Sequence, residues 1–234
     1  MNETTWERWG AASGLIAVAA GAAAVLFERG GVSPDDPAEE IVRFFAANAS
    51  AQLMQSVLFV IGAAALLWFI ASLRAFLAAA EGGTARLSTL VFGAGITQIV
   101  LNLMAQAFQI GAATTPPEQM TAGLVAMMNA TFALANVPLA VMLAAVAAVS
   151  LRYRAFPRWL GWLAAAAAIA YTLLSVSVAA GDGPLAPGGA LSYALYPAVV
   201  LWQVPAAIIM IMRIGRGAGA EHTATGLSPT PETP

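Results

Sequence analysis

The chain has 234 residues, 60% of them hydrophobic and 9% charged, with a mean hydropathy of +0.78. Soluble domains use roughly 45–50% apolar and about 25% charged residues, so this composition specifies an integral membrane protein and leaves room for one bundle without a separate soluble domain. The formal net charge of −2 and the scattered cations exclude a nucleic-acid-binding run, and the absence of cysteine excludes disulfides, thiolate metal sites and thiol nucleophiles.

In chain order, six apolar runs at about 10–28, 51–73, 87–112, 118–150, 158–180 and 190–213 each supply the roughly 20 helical residues that a hydrocarbon core demands. The first, Ala11 to Phe27, is too long for a signal-peptide core, and Glu3 and Glu7 precede it; it reads as a retained anchor. Gly14, Ala17, Gly21 and Ala24 give it a stripe of small residues suited to close helix packing. In the segment that follows, Asp36 is placed as an N-cap with Pro37 at the first helical position. There Ile41, Val42, Phe44 and Phe45 are expected to lie on the membrane while Glu39, Glu40 and Arg43 stay wet. This predicts an extracytoplasmic interfacial helix leading into the second span.

The third span carries a stripe of amides. Gln98, Asn102 and Gln106 are spaced i, i+4, i+8, with Gln109 three residues on, so they share a helix face. Facing lipid would be costly, so the stripe is expected to turn toward Asn129 and Asn136 on the fourth span or Gln203 on the sixth. Thr115-Pro116-Pro117-Glu118 has capping-box spacing before the fourth span. Pro157 opens the fifth, with Trp159 and Trp162 as interfacial anchors and a second small-residue stripe at Gly161, Ala164, Ala165 and Ala168. Pro138 in the fourth span and Pro197 and Pro205 in the sixth each remove an intrahelical donor and bend the helix. Residues 215–234, rich in Gly, Thr, Ser, Pro and Glu, are expected to form a disordered cytoplasmic tail.

Arg8, Arg74, Arg86, Arg152, Arg154, Arg158, Arg213 and Arg216 fall at alternate ends of the spans, and only Arg29 and Arg43 fall at the others. Short arginine-rich loops resist translocation, which predicts both termini in the cytoplasm. No acidic or basic residue falls in the central part of a span, which disfavours a proton-driven pump. Asp35, Asp36, Glu39 and Glu40 read as a solvated helix start, and His222 is isolated in the tail. The sequence therefore offers no catalytic, cofactor-binding or metal-ligating set.

Trp68-Phe69-Ile70-Ala71-Ser72-Leu73-Arg74 closes the second span, and Phe156-Pro157-Arg158-Trp159-Leu160-Gly161-Trp162 opens the fifth. With the acidic segment Asp35 to Glu40, the Phe44-Phe45 pair and the region of Gln52, these stretches resemble a family of uncharacterised bacterial six-helix membrane proteins classed as a domain of unknown function. The resemblance spans most of the chain up to about Arg213 and implies a six-helix inner-membrane protein; it transfers no functional residue.

The expectation is an all-α, polytopic bundle of six transmembrane helices over residues 1–214 in the bacterial plasma membrane, with the lipid bilayer as its solvent and no nucleic acid as partner. A homodimer or an unidentified membrane partner is left open, as is any small-molecule ligand. The leading functional expectation is a non-enzymatic accessory or sensor component. Two alternatives stand beside it: a small transporter or binder of an uncharged or lipophilic solute, using Gln98, Asn102, Gln106, Asn136 and Gln203, and an enzyme acting at the outer face through Glu39 or Glu40. A binder requires a cavity at the amide stripe, and an enzyme requires converging ionisable groups.

Overall fold

A computed structural model describes residues 3–27, 36–115, 121–177, 184 and 189–225, with side chains described between 5 and 214 of these. They form seven helices: α1 (Glu3–Val25), α2 (Ala38–Glu81), α3 (Arg86–Thr114), α4 (Thr121–Tyr153), α5 (Arg158–Val176), α6 (Ala190–Leu195) and α7 (Ala198–Thr225). The described residues contain no strand. Taking the broken pair α6–α7 as one element, six helical elements are long and apolar enough to cross a membrane. This is the architecture of a multi-pass membrane protein.

Turns fall where the sequence releases the backbone. Gly82 and Gly83 adopt φ of 68° and 55° between α2 and α3, a region open to glycine at no steric cost. The α3 start is then capped from the preceding helix: Glu81 Oε1 accepts the Leu87 N–H at 2.9 Å, and Glu81 Oε2 accepts the Ser88 N–H at 2.8 Å and the Ser88 hydroxyl at 2.6 Å. The sixth span breaks at Tyr196-Pro197, as the missing proline donor requires.

The helices close into a ring in which each packs on its sequence neighbours, α7 returns to α1 and α5, and α2 reaches across to α4. Phe69 and Leu73 of α2, Leu143 and Val146 of α4, Leu160 and Ala164 of α5, and Trp202 and Met210 of α7 fill the core. Glycines set the close approaches: a Cβ on Gly14 would sit 2.5 Å from the Phe69 ring, and one on Gly62 would touch Ala20 and the Ala17 carbonyl. The stripe on α1 thus packs against α2 through Gly14 and Ala17, whereas a Cβ on Gly21 would meet nothing within 4 Å. On α5, Gly161 abuts Ser150 and Leu151 of α4.

Contacts fix which ends lie together. Trp6 stacks on Trp68 at 5.5 Å, Phe76 meets Phe156 at 4.8 Å, and Arg213 donates to the Ala155 carbonyl while lying over the Phe76 ring. The start of α1, the end of α2, the α4–α5 turn and the inner part of α7 therefore share one end of the bundle. Arg8, Arg74, Arg86, Arg152, Arg154, Arg158 and Arg213 belong to that end by position, and Arg43 to the other; Arg29 lies outside the described residues.

Several expectations are corrected. The cap of α2 is Pro37, not Asp36: its carbonyl accepts from the N–H of Glu40 at 2.8 Å and of Ile41 at 3.2 Å. The segment expected as an interfacial helix, residues 38–47, leads into the second span across a kink, and the two stretches together make up α2. That helix is interrupted only at Asn48 (φ −118°, ψ 15°), whose Nδ2 donates back to the Phe44 carbonyl at 2.9 Å. Ile41 and Phe45 do not lie outward; they are buried against Ala112 of α3 and Val125 of α4, because those helix ends offer an apolar surface at that level. Helix α7 runs from Ala198 to Thr225. The capping box beginning at Thr115 and the turn around Gly181 to Gly183 fall largely or wholly outside the described residues; Thr115 itself is extended and closes α3.

Candidate functional site

The amide stripe on α3 is divided among different neighbours. At its C-terminal end Gln109 is buried, and its Nε2 donates to the Gln52 carbonyl at 3.1 Å and to Gln55 Oε1 at 2.8 Å. It therefore turns to α2, not to α4 or α7 as the spacing alone suggested. The reason is written on α2, where Gln52, Gln55 and Ser56 share one buried face at i, i+3, i+4 and offer partners that an apolar helix lacks. These three residues were missed as site candidates, although the rule that found the α3 stripe would have found them.

One turn further inward, Gln106 is 2% exposed and its Oε1 has no hydrogen-bond partner; on α2, Ser56 is fully buried with an unpartnered Oγ. An interhelical hydrogen bond in a membrane protein contributes about 0.6 kcal/mol on average. Leaving a buried polar atom unpaired costs about 1–3 kcal/mol. The orphaned atoms outweigh the bonds made beside them, so this cluster is poorly built if its purpose is only to hold α2 to α3.

Asn102 is half-buried and satisfies its Nδ2 on the Gln98 carbonyl of its own helix at 3.1 Å. Gln98 instead lines a cavity of about 90 Å³ with Gln203 of α7, walled by Leu66, Phe69, Leu139 and Met142. Gln203 is held in place by donating its Nε2 to the Gly14 carbonyl at 2.9 Å. Here the structure brings together one expected pair, Gln98 and Gln203, from helices 105 residues apart in sequence.

Asn136 goes elsewhere. Its side chain is hydrogen-bonded to that of Tyr196 at the break before α7, and the Tyr171 hydroxyl donates to the Tyr196 carbonyl at 2.8 Å. The break exposes the Tyr196 carbonyl, which a continuous helix would have satisfied, and the Tyr171 hydroxyl serves it instead. Asn129 is half-buried on α4 and is not hydrogen-bonded to the other amides.

A larger cavity of about 310 Å³ opens at the end of the bundle away from the arginines, between Phe45 and Ala49 of α2, Ala112 and Thr115 at the end of α3, and Thr121 of α4. Thr121 is 3% exposed and its Oγ1 lacks a partner. Among the described residues, no three His, Cys, Asp or Glu side chains gather into a group able to hold a metal ion. Glu39 and Glu40, proposed by sequence as an outer acid–base pair, begin α2 on its exposed side. The arrangement offers amide and hydroxyl groups to an uncharged guest between apolar walls.

The sequence matches the family described as a domain of unknown function, DUF4386, over residues 10–213. No curated protein and no solved structure matches the chain.

Proposed function

The chain belongs to the DUF4386 family, and we propose that it is a non-enzymatic component of the bacterial plasma membrane that binds a small uncharged solute inside the bundle, in an accessory or sensor role. The observation that carries this reading is the cavity of about 90 Å³ shared by Gln98 and Gln203. It is smaller than the roughly 150 Å³ cavity that accommodates benzene, which limits the guest to a few heavy atoms. Two amides supply donors and acceptors, and no ionisable side chain lines the space, so a charged guest would stay uncompensated. Placing the arginine-rich end in the cytoplasm follows the positive-inside rule and puts Glu39 and Glu40 outside.

Native mass spectrometry of the gently extracted full chain tests this. A stoichiometric low-mass species is expected, lost on Gln98→Leu, a substitution that leaves the Gln203 bond to α1 in place. A guest retained in full by Gln98→Leu, or a wild-type chain free of any guest after mild extraction, would refute the reading. A transport role is the second reading. The Tyr196-Pro197 break lies immediately before Val199 and Gln203, both on the cavity wall, and broken helices beside midplane sites are the moving parts of many transporters.

A further inference from the structure

One face of α3 runs from the outer cavity to the central one. Ala112 lines the first and Gln98 the second, and Gln109, Gln106 and Asn102 follow one another between them at steps of three or four residues, along a rise of about 21 Å. Three buried polar atoms without partners accompany this face on three different helices: Thr121 Oγ1 on α4, Ser56 Oγ on α2 and Gln106 Oε1 on α3. Thr121 forms part of the outer cavity wall. Ser56 and Gln106 stand at one level. Gln109 bonds to Gln52 and Gln55 across an antiparallel pair, so one turn inward on α3 meets the next residue on α2.

Buried polar atoms are almost always partnered, and those that are not call for an explanation. One of them on the outer cavity wall and two between the cavities mark positions that a hydrogen-bonding guest would complete. We propose that this face is the access route by which a small uncharged, hydrogen-bonding solute passes from the outer end of the bundle to the Gln98–Gln203 cavity, with Thr121 and then the Ser56–Gln106 pair as its stations. The class of solute follows from the walls: Phe45, Ala49 and Ala112 are apolar, and none of the residues named carries a charge that could accompany an ion. The inference rests on the central cavity being the solute's binding site.

The chain contains no cysteine, so single cysteines report without background. Ala112→Cys, Gln109→Cys and Gln106→Cys sample the route, and Val100→Cys and Met104→Cys sample the exposed face of the same helix, where the native residues are 50% and 46% exposed. The full chain in liposomes is treated with iodoacetamide, itself a small uncharged amide, and alkylation is followed by intact mass. Alkylation needs the thiolate, which forms only where water reaches. The route cysteines are expected to react at least about tenfold faster than the two on the lipid-facing side. Equal, slow rates at all positions would overturn the route. Ala105→Cys joins Ala112→Cys as a small-for-small exchange on the same face, so the comparison survives if the glutamine variants do not fold. Flat rates with the copurifying guest retained would remove the route and leave the central binding site standing; fast route rates with no guest would do the reverse.

Discussion

Gln203 reaches from the last span to the first, its Nε2 2.9 Å from the carbonyl oxygen of Gly14. The bond does two things at once: it closes the helix ring and fixes the amide that faces Gln98. Gly14 suits the position because a Cβ there would press into Phe69; without one, α1 approaches α2 closely and the Gly14 carbonyl lies within range of α7. Gln203→Leu is expected to lower stability by about 0.6 kcal/mol, with about 1.7 kcal/mol as the upper range for such bonds. Thermal unfolding in detergent reads the difference. No change in the midpoint would show that the ring closes without this bond.

Gly14→Ala and Gly21→Ala separate packing from free surface on one helix. The new methyl at position 14 would lie 2.5 Å from a Phe69 ring that is 1% exposed, so overpacking of about 1–3 kcal/mol is expected. At position 21 the added methyl would meet nothing within 4 Å, so the same change is expected to leave the monomer's stability intact or raise it slightly. If Gly21→Ala instead weakens self-association measured by crosslinking in liposomes, that open stretch is a homodimer face.

Tyr171→Phe removes the donor that serves the Tyr196 carbonyl at the break in the sixth span. The expected loss is about 0.5–1.5 kcal/mol, the net value of an ordinary hydrogen bond. Asn136→Leu withdraws a different contact from the same tyrosine, so the double variant should show coupling in a double-mutant cycle. Strict additivity would mean that the two contacts act independently.

The period of the amide stripe made its helix and its face legible in the sequence, as did the six apolar runs and the glycine turn between α2 and α3. The partners of the stripe were not legible. Which neighbour Gln109 meets depends on how α2 is rotated about its axis, and that rotation is set by glycine contacts such as Gly14 on Phe69 and Gly95 on Ile70, which involve residues far apart in the chain. The same holds for Ile41 and Phe45, whose apolar face suits a membrane surface and a protein surface equally well. Glu81 escaped notice because its capping partners lie across a turn, where no helical spacing applies.

Glu81 sits at the aqueous end of α2, beyond the apolar 51–73 stretch. Partial burial pushes its carboxyl up, but the Ser88 hydroxyl and the N–H groups of Leu87 and Ser88 outweigh that and hold it below its ordinary value of 4.5. A depressed folded-state value means the contribution to stability is complete above the unfolded value and fades as the pH falls through the lower, folded one. Glu81→Gln keeps one acceptor oxygen and the carboxylate is solvent-screened, so the α3 start is expected to weaken by only about 0.5 kcal/mol at neutral pH. It should also flatten the acid limb of the stability profile. An unchanged acid limb would show that the charge contributes nothing there.

The charge asymmetry makes the membrane orientation testable apart from any ligand. Trp6 on Trp68 and Arg213 on Ala155 tie the arginine-bearing ends of α1, α2, α4 and α7 together, so they cannot lie on opposite sides of a bilayer. Exposed Trp9, Trp159 and Trp162 belong to the same end, at the depth where indoles favour the headgroup region. A reporter that is active only in the cytoplasm should therefore work when fused beside Arg154 and stay silent beside Glu40. Replacing Arg152, Arg154 and Arg158 with Gln removes the densest positive cluster while sparing the buried Ala155 and Phe156, and is expected to yield a mixed orientation. A reporter beside Arg154 that is found outside in the unaltered chain would invert the assignment and move the outer cavity to the cytoplasmic side.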